Sequence, residues 1–241
     1  MTPPGGEHPL GTDYLGRDVL AGLVHGAGVT ILVGLAAAAC TVTIGVAIGM
    51  CAGFHGDRVE RSLMRVTEFF QVLPPLLFAM VLITLFSPRV TTIILAIGVV
   101  SWAGIARLTR VQVLKVRSLD FVTAERAMGA GNARIILRTI LPNACPPLIV
   151  AAALSVGTAI LFEAGLSFLG LGDPNTMSWG YMVGASRDYI RDTWWAVTFP
   201  GVAIFATVLS VTLIGDGLND ALDPLARTVS GWANAPDAPR T

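Results

Sequence analysis

Apolar positions fall into five long runs separated by shorter polar intervals. They extend from about Val29 to Gly53, Phe69 to Phe86, Thr91 to Leu108, Ala144 to Phe162 and Thr198 to Ile214. Apolar runs of about 18 residues or more read as membrane-crossing helices, so the expected fold is all-α, a polytopic membrane helix bundle of about five spans. Thr41, Gly45, Gly49 and Gly53 recur every four residues in the first run, a small-residue stripe that allows close helix–helix approach in lipid. Internal packing is the favoured use of that stripe. His55 to Thr67, with Arg58, Arg61 and Arg65, reads as a short polar loop. Pro74-Pro75 near the start of the second run predicts a kink, because neither residue can donate a backbone hydrogen bond.

Composition sharpens this picture. The chain has 241 residues, 54% hydrophobic and only 13% charged, against about 25% charged for an ordinary soluble domain. Zero net charge gives no basic surface for nucleic acid. Cys40 and Cys51 lie eleven residues apart, roughly 16 Å along a helix and too far to bridge. Cys145 has no Cys or His at ligand spacing, so no metal site is expected. The only lysine, Lys115, sits in Val-Leu-Lys-Val, and no phosphate-cradling glycine loop occurs. Any ATP-driven step therefore belongs to another polypeptide. The three histidines lie at or outside the ends of the apolar runs, and Ser167 lacks the Gly-x-Ser-x-Gly frame, so an enzymatic reading is disfavoured.

Residues 121–143 form the longest charge-bearing interval between two apolar runs. They read as two short helices around a glycine turn. Asp120 is expected to cap the first, Gly129 to Gly131 to stop it, Asn132 to cap the second, and Pro142 to interrupt it near Leu141. Ala124, Ala127, Gly129 and the Ile140-Leu141-Pro142 tail resemble the coupling loop of ABC-transporter permeases, more narrowly those of the dipeptide/oligopeptide/nickel importers. Thr123 stands where that pattern has Glu, and Glu125 where it has Ala, which moves the acidic side chain nearly to the opposite side of the helix. The resemblance runs from about residue 8 to 227. It includes the block His8 to Asp18 and the stretch Glu163, Ser167 to Gly172, Ser178-Trp179-Gly180, Tyr189 and Phe199-Pro200-Gly201. Gly28 departs from it, since Arg is common there.

The resemblance implies a type I ABC importer permease fold for residues 27–227, with a cytoplasmic coupling loop at 109–143 and an extracytoplasmic insertion at 164–197. Residues 1–26 would be an extracytoplasmic N-terminal segment and 228–241 a flexible cytoplasmic tail. By composition alone residues 1–26 would pass for a flexible tail. Permeases of this kind carry one more N-terminal helix, apparently missing here; either the start site is displaced or five spans suffice, and the start-site explanation is favoured. Charge supports the orientation: 12 Lys and Arg lie on the side of the 58–65 loop and the coupling loop, and 4 on the opposite side. Positive charge concentrates in cytoplasmic loops, which places the coupling loop inside and the N-terminus outside.

Implied site residues are Ala124, Glu125, Ala127, Gly129, Ile140, Leu141 and Pro142 for coupling, and Glu163, Ser167 and Trp179 as candidates for a gate or extracytoplasmic contact. A carboxylate at the end of an apolar run is a functional candidate; Glu163 also fits an interfacial residue bonded to the glycine-rich turn after it. Trp179, Trp194 and Trp195 fit headgroup-level anchors equally well, a reading preferred for the last two. The implied partners are a homologous permease, ABC ATPase subunits that use ATP and Mg, an extracytoplasmic substrate-binding protein and membrane lipid, in the cytoplasmic membrane of a prokaryote. No cofactor is expected on this chain. The cargo would be peptides or related small solutes, including nickel complexes. A secondary transporter would need paired ionisable groups at mid-membrane, whereas the first three span cores lack Asp, Glu and His. A structural or signalling membrane subunit would not need a coupling loop.

Overall fold

A computed structural model describes residues 1–222; the expected tail at 228–241 lies outside the described residues. Four helices among them are long and apolar enough to cross a membrane, or five if a sharply bent helix pair is counted as one span.

Helix α1, Val19–His55, carries the bundle. Its 37 residues rise about 55 Å, well beyond a hydrocarbon layer of roughly 30 Å. Asp18 caps it, accepting the Ala21 N–H at 3.0 Å. The small-residue stripe packs against α4, Val90–Arg117: Gly45 faces Trp102 and Ile105, Gly49 faces Ala106 and Thr109, and Gly53 faces Arg110 and Val113. A Cβ on Gly45 would stand 2.6 Å from the Ile105 Cβ, so only glycine admits this approach. The stripe is internal packing, as expected.

Between α1 and α4 the expected polar loop is helical instead, and the kink expected at Pro74-Pro75 is a sharp break. Asp57–Val72 forms a strongly amphipathic helix, α2, and Pro75–Phe86 forms α3, bent from it by 89°. Leu73 and Pro74 are extended, and Pro75 sits in the first turn of α3, where its missing N–H costs nothing. The second span is thus a broken pair. Only α3 joins the central core of Val33, Ala79, Ile83, Ile93, Ile97, Ala159 and Leu166.

Two short helices follow, α5 (Asp120–Ala127) and α6 (Asn132–Ile135). The expected caps shift by one residue: Leu119 and Gly131 hold the cap positions, while Asp120 and Asn132 are the first helical residues. Gly129, at φ +82°, ends the first helix as expected. Pro142 does not interrupt the second. A π-turn over Ile136–Ile140 leads directly into α7, Leu141–Phe168, with the Leu141 N–H reaching back to the Ile136 carbonyl. The widened turn absorbs the prolyl ring, and the Asn143 side chain donates to the Thr139 carbonyl at 2.6 Å.

The short helix α8, Trp179–Ser186, precedes α9, Trp195–Leu222, which continues past the expected exit at Gly215. Residues 1–18 are no loose tail. Thr2 pairs with Thr12 and His8 with Asp18, Tyr14 stacks on Tyr189 at 4.8 Å, and the Trp195 Nε1–H donates to the Thr12 carbonyl at 2.9 Å. Trp195 is consequently buried at 7% exposure and is not a membrane anchor, whereas Trp194 is half exposed.

Candidate functional site

The α5–α6 hairpin sits at the end of the bundle where α1 and α4 finish and α7 begins. Its inner side is apolar: Val122, Ile135 and Ile140 are fully buried against Met50 and Phe54 of α1, Val113 and Val116 of α4, and Ala144 of α7. A displacement of this hairpin therefore acts on the ends of three spanning helices at once. Glu125 fastens the hairpin across its turn, both carboxylate oxygens accepting from the Thr139 hydroxyl at 3.0 and 2.8 Å. The acidic side chain thus turns inward, and the Arg126 guanidinium lies over the Phe54 ring at 5.3 Å.

The outer side is uncovered. Ala124, Ala127, Gly129 and Pro142 are exposed, together with Phe121 (45%), Met128 (79%) and Leu137 (63%). Of the seven sequence-derived coupling residues, Ala124, Ala127, Gly129 and Pro142 present surface. Glu125 closes the hairpin on itself, Ile140 holds it to the bundle, and Leu141 packs partly against it. Thr139, the partner of Glu125, was not among the sequence candidates; its only sequence signal is a hydroxyl just before Ile-Leu-Pro.

At the opposite end the second group converges on Glu163. Its side chain is buried at 3% exposure near the end of α7. Oε1 accepts from the Ser167 and Ser178 hydroxyls, each at 2.7 Å, while Oε2 has no partner. Ser178 also caps α8 by accepting the Tyr181 N–H at 3.0 Å, so one hydroxyl links the carboxylate to the helix start. Gly180 makes room for this, since a Cβ there would stand 2.8 Å from Oε2 and 2.7 Å from the Ala164 Cα. Trp179 is buried as well; its N–H bonds the Thr30 hydroxyl at 3.0 Å and its indole donates to the Leu23 carbonyl at 2.8 Å. It is a bridge from α8 to α1, not a lipid anchor. The structure brings Glu163 and Ser167 together and places Trp179 beside them. Ser178 and Thr30 complete the set, and only the capping pattern of Ser before Trp-Gly signalled the first.

No group of three metal-ligating side chains occurs among the described residues.

Comparisons with known proteins agree with this architecture. The family model described as "Binding-protein-dependent transport system inner membrane component" matches residues 45–228. The di/tripeptide transport system permease protein DppC of Pseudomonas aeruginosa is 43% identical over 231 residues, covering 93% of this chain and 76% of the relative. The dipeptide transport system permease protein DppC of Bacillus subtilis is 41% identical over 227 residues, covering 93% and 71%. Among solved structures, an inward-facing form of the MetNI methionine ABC transporter superposes with a TM-score of 0.71 at 21% identity, covering 85% of this chain and 97% of that one. An amino acid ABC transporter solved with histidines gives 0.65 at 15% identity, covering 84% and 95%. The fold is accordingly that of ABC-importer transmembrane subunits, in a multi-pass protein of the cytoplasmic membrane that transports and does not catalyse. With the family model matching more than half of its length, the chain belongs to the binding-protein-dependent transport system inner membrane components.

Proposed function

We propose that this permease moves peptides or related small solutes inward, and that residues 121–141 transmit the motion of a separate ATPase. The observation that carries the reading is the construction of the hairpin: an uncovered apolar face at Phe121, Met128 and Leu137 on a body fastened to α1, α4 and α7. An apolar surface of that kind on a charged end outside the membrane marks a docking site. The names of the 43% and 41% identical relatives favour peptide cargo. A homologous permease subunit completes the pathway, two ATPase subunits supply ATP and Mg chemistry, and an extracytoplasmic binding protein delivers the solute.

In this reading the hairpin end is cytoplasmic and residues 1–18 with 164–197 face outward. ATPase closure pushes the hairpin, and the ends of α1, α4 and α7 move with it. Only ATPase states that contact the hairpin differently can shift the permease between inward-open and outward-open forms. Glu163, Ser167 and Trp179 tie the outer insertion to α7 and α1, so the insertion follows the spanning helices and acts as part of the outer gate.

The test is a mild-detergent pull-down of the tagged protein expressed with its neighbouring genes, followed by mass spectrometry, for the parent and for a variant with 121–141 replaced by a Gly/Ser linker. Recovery of an ATPase and a second permease with the parent, and loss of the ATPase with the linker, is the expected outcome. A parent that retains no ATPase contradicts it.

A further inference from the structure

The outward side of α4 changes character along its length. In the half nearer α8 its exposed residues are Thr91, Leu95 and Val99. In the half nearer the hairpin the outward positions are Ser101, Gly104, Arg107, Leu108, Val111 and Lys115, which share roughly a 120° arc on the opposite side of the helix. Two open grooves flank that arc. One lies between α4 and α7, where Ser101, Gly104, Ser155, Thr158 and, from α1, Thr41 line it together with the apolar Ile97, Ile105 and Ala159. The other lies between α4 and α2, holds about 800 Å³ of open space, and is lined by Glu60, Arg61, Thr67, Glu68, Arg107 and Arg110.

Polar groups in these grooves are partly committed. Ser155 and Thr158 donate to the carbonyls of Ala151 and Leu154 within their own helix, leaving oxygen lone pairs toward the groove. Arg110 is paired with Glu60, its Nε donating to Oε1 at 2.6 Å. Arg107 makes no hydrogen bond or ion pair to any described residue, and Gly104, one turn away, opens the wall beside it: a Cβ there would meet nothing within 4 Å. Lipid does not suit this side of the bundle, because a charged side chain and several hydroxyls on it turn toward water or protein. The lipid-suited side is seen on α9, where Val202, Phe205, Leu209 and Leu213 are exposed and no charge occurs between Trp195 and Ile214.

We propose that this face of α4, with Ser101, Gly104 and Arg107 beside Ser155 and Thr158 of α7, is the wall of the water-filled solute path in this subunit, and that Arg107 is the contact for an anionic group, such as a carboxylate, of the passing solute. The inference rests on the importer reading. A guanidinium with no partner among the described residues presents N–H donors in a geometry that matches a carboxylate. The flanking Glu60–Arg110 pair and Glu68 keep the mouth polar without neutralising Arg107.

The test uses the co-purifying complex in inside-out membrane vesicles, with Cys40, Cys51 and Cys145 replaced by alanine. Single substitutions Ser101→Cys, Gly104→Cys and Thr158→Cys are compared with Phe205→Cys and Leu209→Cys. The probes are two membrane-impermeant methanethiosulfonates, one anionic and one cationic. The path positions should react at least about tenfold faster than the α9 positions. Replacing Arg107 by Gln should lower the anionic-to-cationic rate ratio at Ser101→Cys and Thr158→Cys by at least about threefold, and Lys should preserve it. Labelling as slow as on α9, while the ATPase is still retained by the complex, overturns the path and leaves the importer reading standing. Fast labelling with an unchanged ratio overturns the assignment of Arg107. Gly104→Cys keeps the first arm decisive, because its side chain enters open space.

Discussion

The two ends of the bundle are fastened in opposite ways. At the hairpin end the bond to the rest of the molecule is a small apolar cluster, the Glu125–Thr139 link closes the hairpin on itself, and the outer face is left uncovered. At the α8 end polar groups are buried: Glu163 holds Ser167 and Ser178, Trp179 bridges to Thr30 and Leu23, and Trp195 locks residues 1–18 in place. These bonds tie α7 to α8, α8 to α1 and α9 to residues 1–18, with Oε2 of Glu163 left unpaired. An uncovered apolar face, by contrast, is completed only by another molecule. One end is held by buried polar bonds, and the other leaves an apolar face open.

The largest effect should come from Gly180→Val. Its side chain collides with the Ala164 backbone and with Glu163, so roughly 3 kcal/mol or more of stability should be lost. A lower thermal transition in detergent, with a red shift in the emission of Trp179, would record the release of α8; an unshifted spectrum would mean that α8 is not seated as described. Glu163→Ala should cost roughly 2 kcal/mol, because two buried hydroxyls lose their acceptor. Glu163→Gln keeps an oxygen for both hydroxyls and should cost less than half as much. Equal losses in a thermal melt would refute the hydroxyl network as the source of stability.

At the other end the effects are smaller. Removing the carboxylate in Glu125→Ala should cost about 1 kcal/mol of stability. It should lower transport more than it lowers the melting temperature, since a loosened hairpin transmits less motion. Gly129→Ala should cost about 1 kcal/mol through its positive φ alone, because no atom lies within 4 Å of the added Cβ.

The mildest test is acid. The hydrogen bond from His8, then the Ala21 N–H, holds the Asp18 carboxyl below the usual carboxylate range. A lowered folded value contributes stability above the unfolded value of about 3.9 and loses it as pH falls through the folded one. Limited proteolysis of residues 1–18 should therefore accelerate below about pH 4, and Asp18→Asn should flatten that dependence.

The spans and the hairpin were legible because both rest on local signals, apolar run length and glycine turns. The stripe at Gly45, Gly49 and Gly53 was legible for the same reason, one face of one helix. Helix α2 was not, since its arginines and glutamates read as a loop until Arg110 and Trp102 of α4 supply the face they pack on. Pro142 misled in the same way: a proline stops a helix by default, and only the π-turn before it permits continuation. Trp195 resembled a lipid anchor because nothing local announces its bond to Thr12, 183 residues away. Glu125 could not be oriented from sequence, since the helix side it faces is set by where Thr139 returns.

The central claim is that the hairpin, and not the opposite end, meets the ATPase. Its most direct test is cysteine cross-linking in the complete complex, comparing Met128→Cys on the hairpin with Trp194→Cys at the far end, both exposed. The account predicts that Met128→Cys cross-links to the ATPase, with a yield that changes when nucleotide is trapped, and that Trp194→Cys does not. Equal yields at the two positions, or none at Met128→Cys, would contradict it.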